Sequence, residues 1–308
     1  VLRNVAAFSS LVLAASGPAV AEDIVNVAHA GSLITVFNRD VAPAFAAEGH
    51  TFQGQGKGSV ALANSIRDGL IAPDVFVASD SAVMADLLDS HTAISWYATF
   101  ATTRLVLAYS PKSPYAPDFR AAANGKSAWT DVLLKSGVRL VRTDPAIDPK
   151  GYRSILMLKL AEAFYKKTGL RERVLGDDRN SAQLQTDEGI LIRLEGGDAD
   201  AGILYQTEAV SRKLPYIMLP AQIDLGDPKY AKEYALQSIA INGVVRQGAP
   251  IEYAFTIPIS AKNAAGGDAF LHLLESADGR KILAAGGLVT HALKFFGDPA
   301  AVPKDLRI

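Results

Sequence analysis

The sequence predicts an α/β protein built as two lobes. Apolar segments of strand length alternate with segments of helical spacing, small-residue turns separate them, and a cluster of prolines at 111, 114 and 117 marks a junction between lobes. A chain of 308 residues that is 49% hydrophobic, with 25 glycines and 15 prolines, is folded rather than disordered and is long enough for two lobes of ordinary size. Lys and Arg total 31 against 32 Asp and Glu, so the basic excess of a nucleic-acid binder is missing and no nucleic-acid partner is expected. With no cysteine, disulfides, thiolate zinc sites, iron–sulfur ligation and cysteine nucleophiles are all excluded. The five histidines are scattered without a pair spaced to clamp a metal from one helix face, and each reads as a core or surface residue.

Residues 1–21 carry one cation at Arg3, an apolar stretch over 5–15 and a Gly17-Pro18 break before Ala19-Val20-Ala21. This is the order of a secretory signal peptide, with Glu22 as the expected mature N-terminus. A membrane anchor would need about 20 uninterrupted apolar residues, and Asn4, Ser9, Ser10, Ser16 and Pro18 interrupt these.

Residues 23–28 read as a buried strand, the turn from His29 to Ser32 follows, and Leu33, Val36, Phe37, Val41 and Phe45 give 33–47 helical spacing. The grammar repeats: a turn over 54–59, a helix over 60–70, a strand over 74–78 and a helix over 82–88, which together predict a mostly parallel sheet covered by helices. Beyond 104, strands are expected at 105–109, 139–142, 201–205 and 251–258, and helices at 129–134, 152–168, 189–194, 268–276 and 279–285. Residues 144–151, with two Asp-Pro steps, read as a loop.

Two turns could carry chemistry. Gly31-Ser32 and Gly58-Ser59 each open a helix, whose unpaired N–H groups and partial positive charge, joined by a serine hydroxyl, suit an oxyanion. Simple helix capping by serine is the alternative for each. Their repetition in neighbouring strand-to-helix turns favours a common ligand at the carboxyl edge of the sheet. Nucleotide motifs fail: the glycines at 54, 56 and 58 have the wrong spacing for a dinucleotide fingerprint, and Gly58 follows Gly56-Lys57 where a phosphate loop needs Ser or Thr. A secreted serine hydrolase using Ser32 or Ser59 with His29 and Asp80 is a remote alternative, because neither serine lies in a G-x-S-x-G elbow.

The runs His29-Ala30-Gly31-Ser32-Leu33, Gly58-Ser59-Val60, Ala72-Pro73-Asp74-Val75 with Ala78-Ser79-Asp80, and Asp148-Pro149-Lys150-Gly151-Tyr152-Arg153-Ser154 resemble, in order, the extracytoplasmic tungstate/molybdate-binding proteins of ABC importers. The likeness continues through Trp96-Tyr97, the segment from Ala199 to Tyr205, Leu219-Pro220 with Ile223-Asp224-Leu225, and Asp278-Gly279-Arg280, so it spans nearly the whole mature chain.

The resemblance implies a type II periplasmic-binding fold with its ligand in the cleft between lobes, one assembled from 22–104 and 251–308 and the other from 105–250, with hinge strands near 104–109 and 251–258. It places oxyanion contacts on Gly31, Ser32, Gly58, Ser59 and Tyr205, and a carboxylate ligand of the metal on Asp148. A second carboxylate, usually Glu in the family, falls on Asp187, or on Glu188 if the register shifts by one. Lys150 stands where the family commonly has Cys, and no ligand role attaches to it. The implied function is high-affinity capture of tungstate or molybdate in the periplasm by a monomer that delivers it to the transmembrane subunits of an ABC permease, with no cofactor and no catalysis. Binding of sulfate, phosphate or thiosulfate is the alternative.

Overall fold

The computed structural model describes residues 23–307, so the expected signal peptide and its cleavage point lie outside the described residues. In chain order the strands are β1 (Asp23–Ala30), β2 (His50–Lys57), β3 (Val75–Ala78), β4 (Trp96–Thr102), β5 (Leu105–Tyr109), β6 (Leu140–Thr143), β7 (Leu184–Gln185), β8 (Ala201–Tyr205), β9 (Tyr216–Met218), β10 (Ser238–Ile241), β11 (Val244–Gln247), β12 (Glu252–Thr256) and β13 (Val289–Gly297). Six of them form one sheet in the order β13-β4-β12-β3-β1-β2, five form a second in the order β7-β6-β8-β5-β9, and β10 and β11 make a separate hairpin.

Both sheets are mixed, which corrects the expectation of a mostly parallel one. β1 is parallel to β2 and β3, whereas β12 is antiparallel to β3 and β4, and β13 is antiparallel to β4. In the second sheet β6 is parallel to β7 and β8, and β5 is antiparallel to β8 and β9. Parallel neighbours need a helical crossover. The chain instead enters the second sheet directly from β4 into β5, and it returns to the first as β12.

Every residue of β5 and β8 is buried, which fits their unbroken apolar runs LVLAY and AGILY, covered on both faces. Against the first sheet the rings of Phe37, Phe45 and Phe52 gather around Phe270 with centroids 5.3–5.7 Å away. The helical run after β1 opens as a tight turn at Gly31–Leu33 and widens to a π turn over Phe37–Val41. Pro43, which lacks an N–H and whose ring presses on the carbonyl four residues back, explains that widening.

Two other expectations shift. The turn over 54–59 is mostly strand, since β2 continues to Lys57 and only Gly58 separates it from the helix Ser59–Arg67. Gly56 belongs in that strand because a Cβ there would lie 2.3 Å from Ile34 Cγ1. The loop over 144–151 is shorter than its two Asp-Pro steps suggest. The helix Pro149–Tyr165 starts at the second of them, with Pro149 in its first turn and Asp148 as its N-cap.

At the crossover between sheets the Leu105 N–H donates to Asp224 O at 2.8 Å and the Ile251 N–H to Leu225 O at 2.8 Å. The Asp224 side chain is fully buried, accepts from the Gly226 N–H at 2.7 Å and lies 3.6 Å from the Arg104 guanidinium. Burial pushes its carboxyl up to about 6, against the pull of the Gly226 N–H and Arg104. An acid raised in this way holds its proton more tightly folded than unfolded, so its contribution to stability declines as pH rises from about 4 to about 6 and is lost above. Asp224→Asn removes that decline. Relative to the parent, the variant is expected to gain on the order of 1 kcal/mol between pH 4 and pH 7 in thermal melts; a constant gap between the two curves would count against titration in this window.

Candidate functional site

The carboxyl ends of β1 and β2 place Gly31-Ser32 and Gly58-Ser59 side by side, because the two strands pair in parallel register up to Ala30 and Lys57. Each pair then begins a helical segment. The second sheet faces them with the N-terminal ends of the helices Pro149–Tyr165 and Asp187–Gly196, which carry Asp148 and Asp187. Approach across the cleft is close. A Cβ on Gly31 would fall 2.1 Å from Asp187 Oδ2, and one on Gly58 would fall 2.4 Å from the Ile147 carbonyl oxygen and 3.1 Å from Asp148 Cβ. At these two positions glycine is required by the opposing elements rather than by its own turn. The Ala61 N–H also donates to Ile147 O at 3.1 Å, so the two halves meet directly at this edge.

The serines occupy the interior of the contact. Ser32 Oγ lies 2.7 Å from Tyr253 Oη, and Ser59 Oγ accepts from the Ser79 N–H at 3.1 Å. Tyr205, at the end of β8, packs its ring 6.3 Å from that of Tyr253, edge to face. Its hydroxyl accepts from Arg153 Nη1 at 2.8 Å, and the same nitrogen donates to Ser79 O at 2.6 Å. One chain of contacts therefore joins Ser32, Tyr253, Tyr205, Arg153, Ser79 and Ser59, crossing from one sheet to the other and back.

The acids are held firmly. Asp148 Oδ1 accepts from Thr143 Oγ1 at 2.8 Å and from the Lys150 N–H at 2.9 Å, as an N-cap should. Burial lifts the Asp148 carboxyl above the ordinary range and the Asp187 charge lifts it further, against the opposing pull of Lys150 and Thr143. Asp187 is buried and turns toward Gly31, while its neighbour Glu188 turns the other way, where Oε1 accepts from Arg212 Nη1 at 3.2 Å. Consecutive helical residues diverge by about 100°, and of the two it is Asp187 that reaches the opposing Gly31, while Glu188 sits farther along the wall beside Arg212. A cavity of about 690 Å³ opens here, with Ile34, Gly58, Thr143, Asp148, Asp187 and Glu188 in its wall. Ser32, Ser59 and Tyr205 do not line it and are enclosed by their neighbours.

Several residues at this site escaped the sequence reading. Lys150, to which no role was attached, is fully buried, with Nζ 2.8 Å from Asp187 Oδ1 and 2.5 Å from Glu208 Oε1. Burial alone would lower its pKa, but the Asp187, Glu208 and Asp148 charges outweigh it and keep the ammonium charged. Glu208 Oε2 also accepts from the Tyr205 N–H at 2.9 Å. Arg153 pairs with Asp80 at 3.1 Å, and Tyr152 Oη donates to the same carboxylate. The sequence signal for Lys150, Tyr152 and Arg153 was their place in the Asp148–Ser154 run, whereas Glu208 lies outside it; the side-chain partners of all four lie far away along the chain.

The constellation of a hydrolase is not assembled. His29 Nδ1 lies 3.0 Å from Ala30 O, its ring packs on Phe37 with centroids 5.0 Å apart, and burial pushes its pKa down to about 4. Ser32 and Asp80 are engaged with Tyr253 and with Arg153 and Tyr152 instead.

An interior cleft between two mixed α/β lobes, lined by paired helix starts, is the architecture of a solute-binding protein. Residues 25–289 match the family of bacterial extracellular solute-binding proteins, and the chain belongs to it. A relative from Haloferax volcanii, provisionally named as an ABC transporter molybdenum-binding protein, is 36% identical over 233 residues, which is 75% of this chain and 72% of the relative. A molybdate/tungstate-binding protein of Pyrococcus abyssi is 28% identical over 282 residues, covering 82% and 80% of the two chains. Among solved structures, the periplasmic molybdate-binding protein of Azotobacter vinelandii superposes with a TM-score of 0.61 at 19% identity, over 87% of this chain and 99% of that one. The sulfate-binding protein of Mycobacterium tuberculosis gives 0.56 at 13% identity, over 91% and 89%. At such identities the two structures speak to the two-lobed fold alone.

Gly58→Ala tests the closeness of the lobes. A methyl group 2.4 Å from Ile147 O is incompatible with this arrangement, so the variant is expected to populate a more open form, with a larger radius of gyration in solution scattering and little change in secondary structure. An unchanged scattering curve would mean that the contact yields locally.

Proposed function

We propose that this protein captures tungstate or molybdate outside the cytoplasmic membrane, in the periplasm, and delivers it to the permease of an ABC importer, acting as a monomer and without catalysis. In this reading Gly31, Ser32, Gly58, Ser59 and Tyr205 hold the oxyanion after the lobes part and uncover the enclosed hydroxyls, and Asp148 and Asp187 bond the metal. The lobes that close on it are residues 22–104 with 251–308, and 105–250. The names of the relatives support the cargo, and the family supports the extracellular setting.

The single observation that carries the reading is the placement of two carboxylates, Asp148 and Asp187, directly opposite the glycine-serine turns of the other sheet. Carboxylates at contact distance from sulfate or phosphate repel it unless a proton intervenes. Tungsten(VI) and molybdenum(VI) are large Lewis-acid centres that can expand from four oxygen neighbours to six, and hard carboxylate oxygens suit them. Sulfur and phosphorus in their oxyanions have no comparable option. An acid pair in an oxyanion cleft therefore selects for the metal oxoanions.

Calorimetry of the mature protein with tungstate, molybdate, sulfate and phosphate is the direct test. Tight binding of the first two alone is expected, together with a rise in melting temperature, because ligand that binds only the folded state adds RT ln(1 + [L]/Kd) to stability. Preference for sulfate or phosphate would move the hydrogen-bonded oxyanion reading into first place.

Two sets of variants divide the roles. Ser32→Ala and Ser59→Ala are each expected to weaken binding by about 1–3 kcal/mol, the scale of a charge-assisted hydrogen bond. The Asp148→Asn/Asp187→Asn double variant should lose most of its tungstate affinity while any sulfate binding holds or improves. X-ray absorption on the loaded parent should report six oxygen neighbours around the metal; four neighbours with unchanged affinity in the double variant would remove the acids from the ligand set.

A further inference from the structure

Charge is the difficulty any oxyanion meets in this cleft. Asp80, Asp148, Asp187 and Glu208 are all buried around it, and a dianion would add two more negative charges. Arg153 is committed to Asp80 at 3.1 Å and to Tyr205 and Ser79. The buried imidazole of His29 is neutral near pH 7. Lys150 stands among the three remaining acids, touching Asp187 and Glu208 directly and flanking the Asp148 cap from two residues away.

Its position is expensive for the fold. A lysine ammonium with no exposure to water loses its hydration, and the first turn of the helix Pro149–Tyr165 is the positive end of that helix, where a cation is disfavoured. A methionine or leucine would fill the same space without either cost. What the ammonium does there is visible in its contacts. It grips Asp187 through Oδ1, the oxygen opposite the Oδ2 that points at Gly31, and its Nζ lies 5.8 Å from the centre of the Tyr205 ring.

Resting on the capture reading above, we propose that Lys150 is the positioning and specificity-determining residue of this cleft: its ammonium fixes Asp187 with one carboxylate edge toward Gly31 and supplies the compensating charge that admits a doubly charged oxyanion beside Asp148 and Asp187. Glu208 is its counterweight. It anchors the ammonium from the far side and ties it to the backbone of Tyr205. The expected ligand class is a dianion that also accepts carboxylate oxygens, and net charge at this cluster sets how tightly it is held.

The experiment is tungstate and molybdate calorimetry on four proteins: the parent, Lys150→Met, Glu208→Gln and the Lys150→Met/Glu208→Gln pair, with ligand-free melts alongside. Lys150→Met keeps most of the length of the side chain and removes the charge, and it is expected to cost about 100-fold in affinity or more, as the cluster is left with uncompensated carboxylates. The double variant restores the net charge of the parent and should recover at least about 10-fold of that loss. A purely structural lysine would show its loss and rescue in the ligand-free melts and leave the affinity of the folded variants parent-like. Glu208→Gln alone, which keeps the ammonium and removes one competing charge, should bind several-fold more tightly, and it carries the test if Lys150→Met does not fold. Parent-like binding by Lys150→Met, a double variant no better than the single one, or weaker binding by Glu208→Gln would each overturn the assignment while leaving the capture reading intact. If the parent bound neither tungstate nor molybdate, the capture reading itself would fall, and this proposal with it.

Discussion

Four carboxylates cannot be brought together away from water unless cations stand between them, and in this molecule the cations come from one helix turn. Lys150 and Arg153 lie three residues apart, so they share a face at the start of the helix Pro149–Tyr165. Lys150 reaches Asp187 and Glu208 within the second half of the molecule, while Arg153 reaches across to Asp80 and Ser79 in the first. One turn of helix thus offsets part of the negative charge inside the cleft and fastens its two walls to each other. The Asp148 cap adds a third charge at the same place, opposite in sign and favourably set at the helix N-terminus. Taking one partner out of such a network leaves a buried charge alone, which is far costlier than replacing the whole set.

Glycine placement follows from this crowding. The acids come so near the opposite sheet that Gly31 and Gly58 have no room for a Cβ. The short turns after β1 and β2 therefore do two things at once: they begin helices whose N–H groups face the cleft, and they let the other half approach within contact distance. A serine follows each glycine as the first enclosed hydroxyl behind that surface, tied to Tyr253 in one case and to Ser79 in the other.

Much of the architecture was legible from local pattern. The runs LVLAY and AGILY are strands over the residues their composition suggests, because fully buried strands are marked by unbroken apolar sequence between turn signals. The Gly-Ser turns were also legible from local pattern, and Asp148 stood out only through the resemblance of its run; the structure sets them on opposing walls of one cleft. Strand direction was not, since a strand that returns from the other half looks the same in sequence as one reached through a helix. The hairpin of β10 and β11 went unread although Asn242-Gly243, both with positive φ, is a strong two-residue turn signal. Its strands SIAI and VVRQ carry apolar residues but are only four residues long each, and they lie half-buried or exposed rather than forming the longer unbroken run of a buried strand. Lys150 was invisible as a functional residue for a different reason. Its meaning lies in Asp187 and Glu208, which are distant in sequence, and no spacing rule links them.

The order of the first sheet has a consequence for how the chain becomes a protein. β12, from the last quarter of the sequence, is inserted between β3 and β4, so the sheet has a gap at its centre until that segment is available. Pairings between such distant segments form late, because the intervening loop must be closed before they return any energy. A chain made from its N-terminus therefore keeps two unsatisfied strand edges open while the second half is still being completed. It remains threadable for as long as possible, and it commits to its final shape only when almost all of it has emerged.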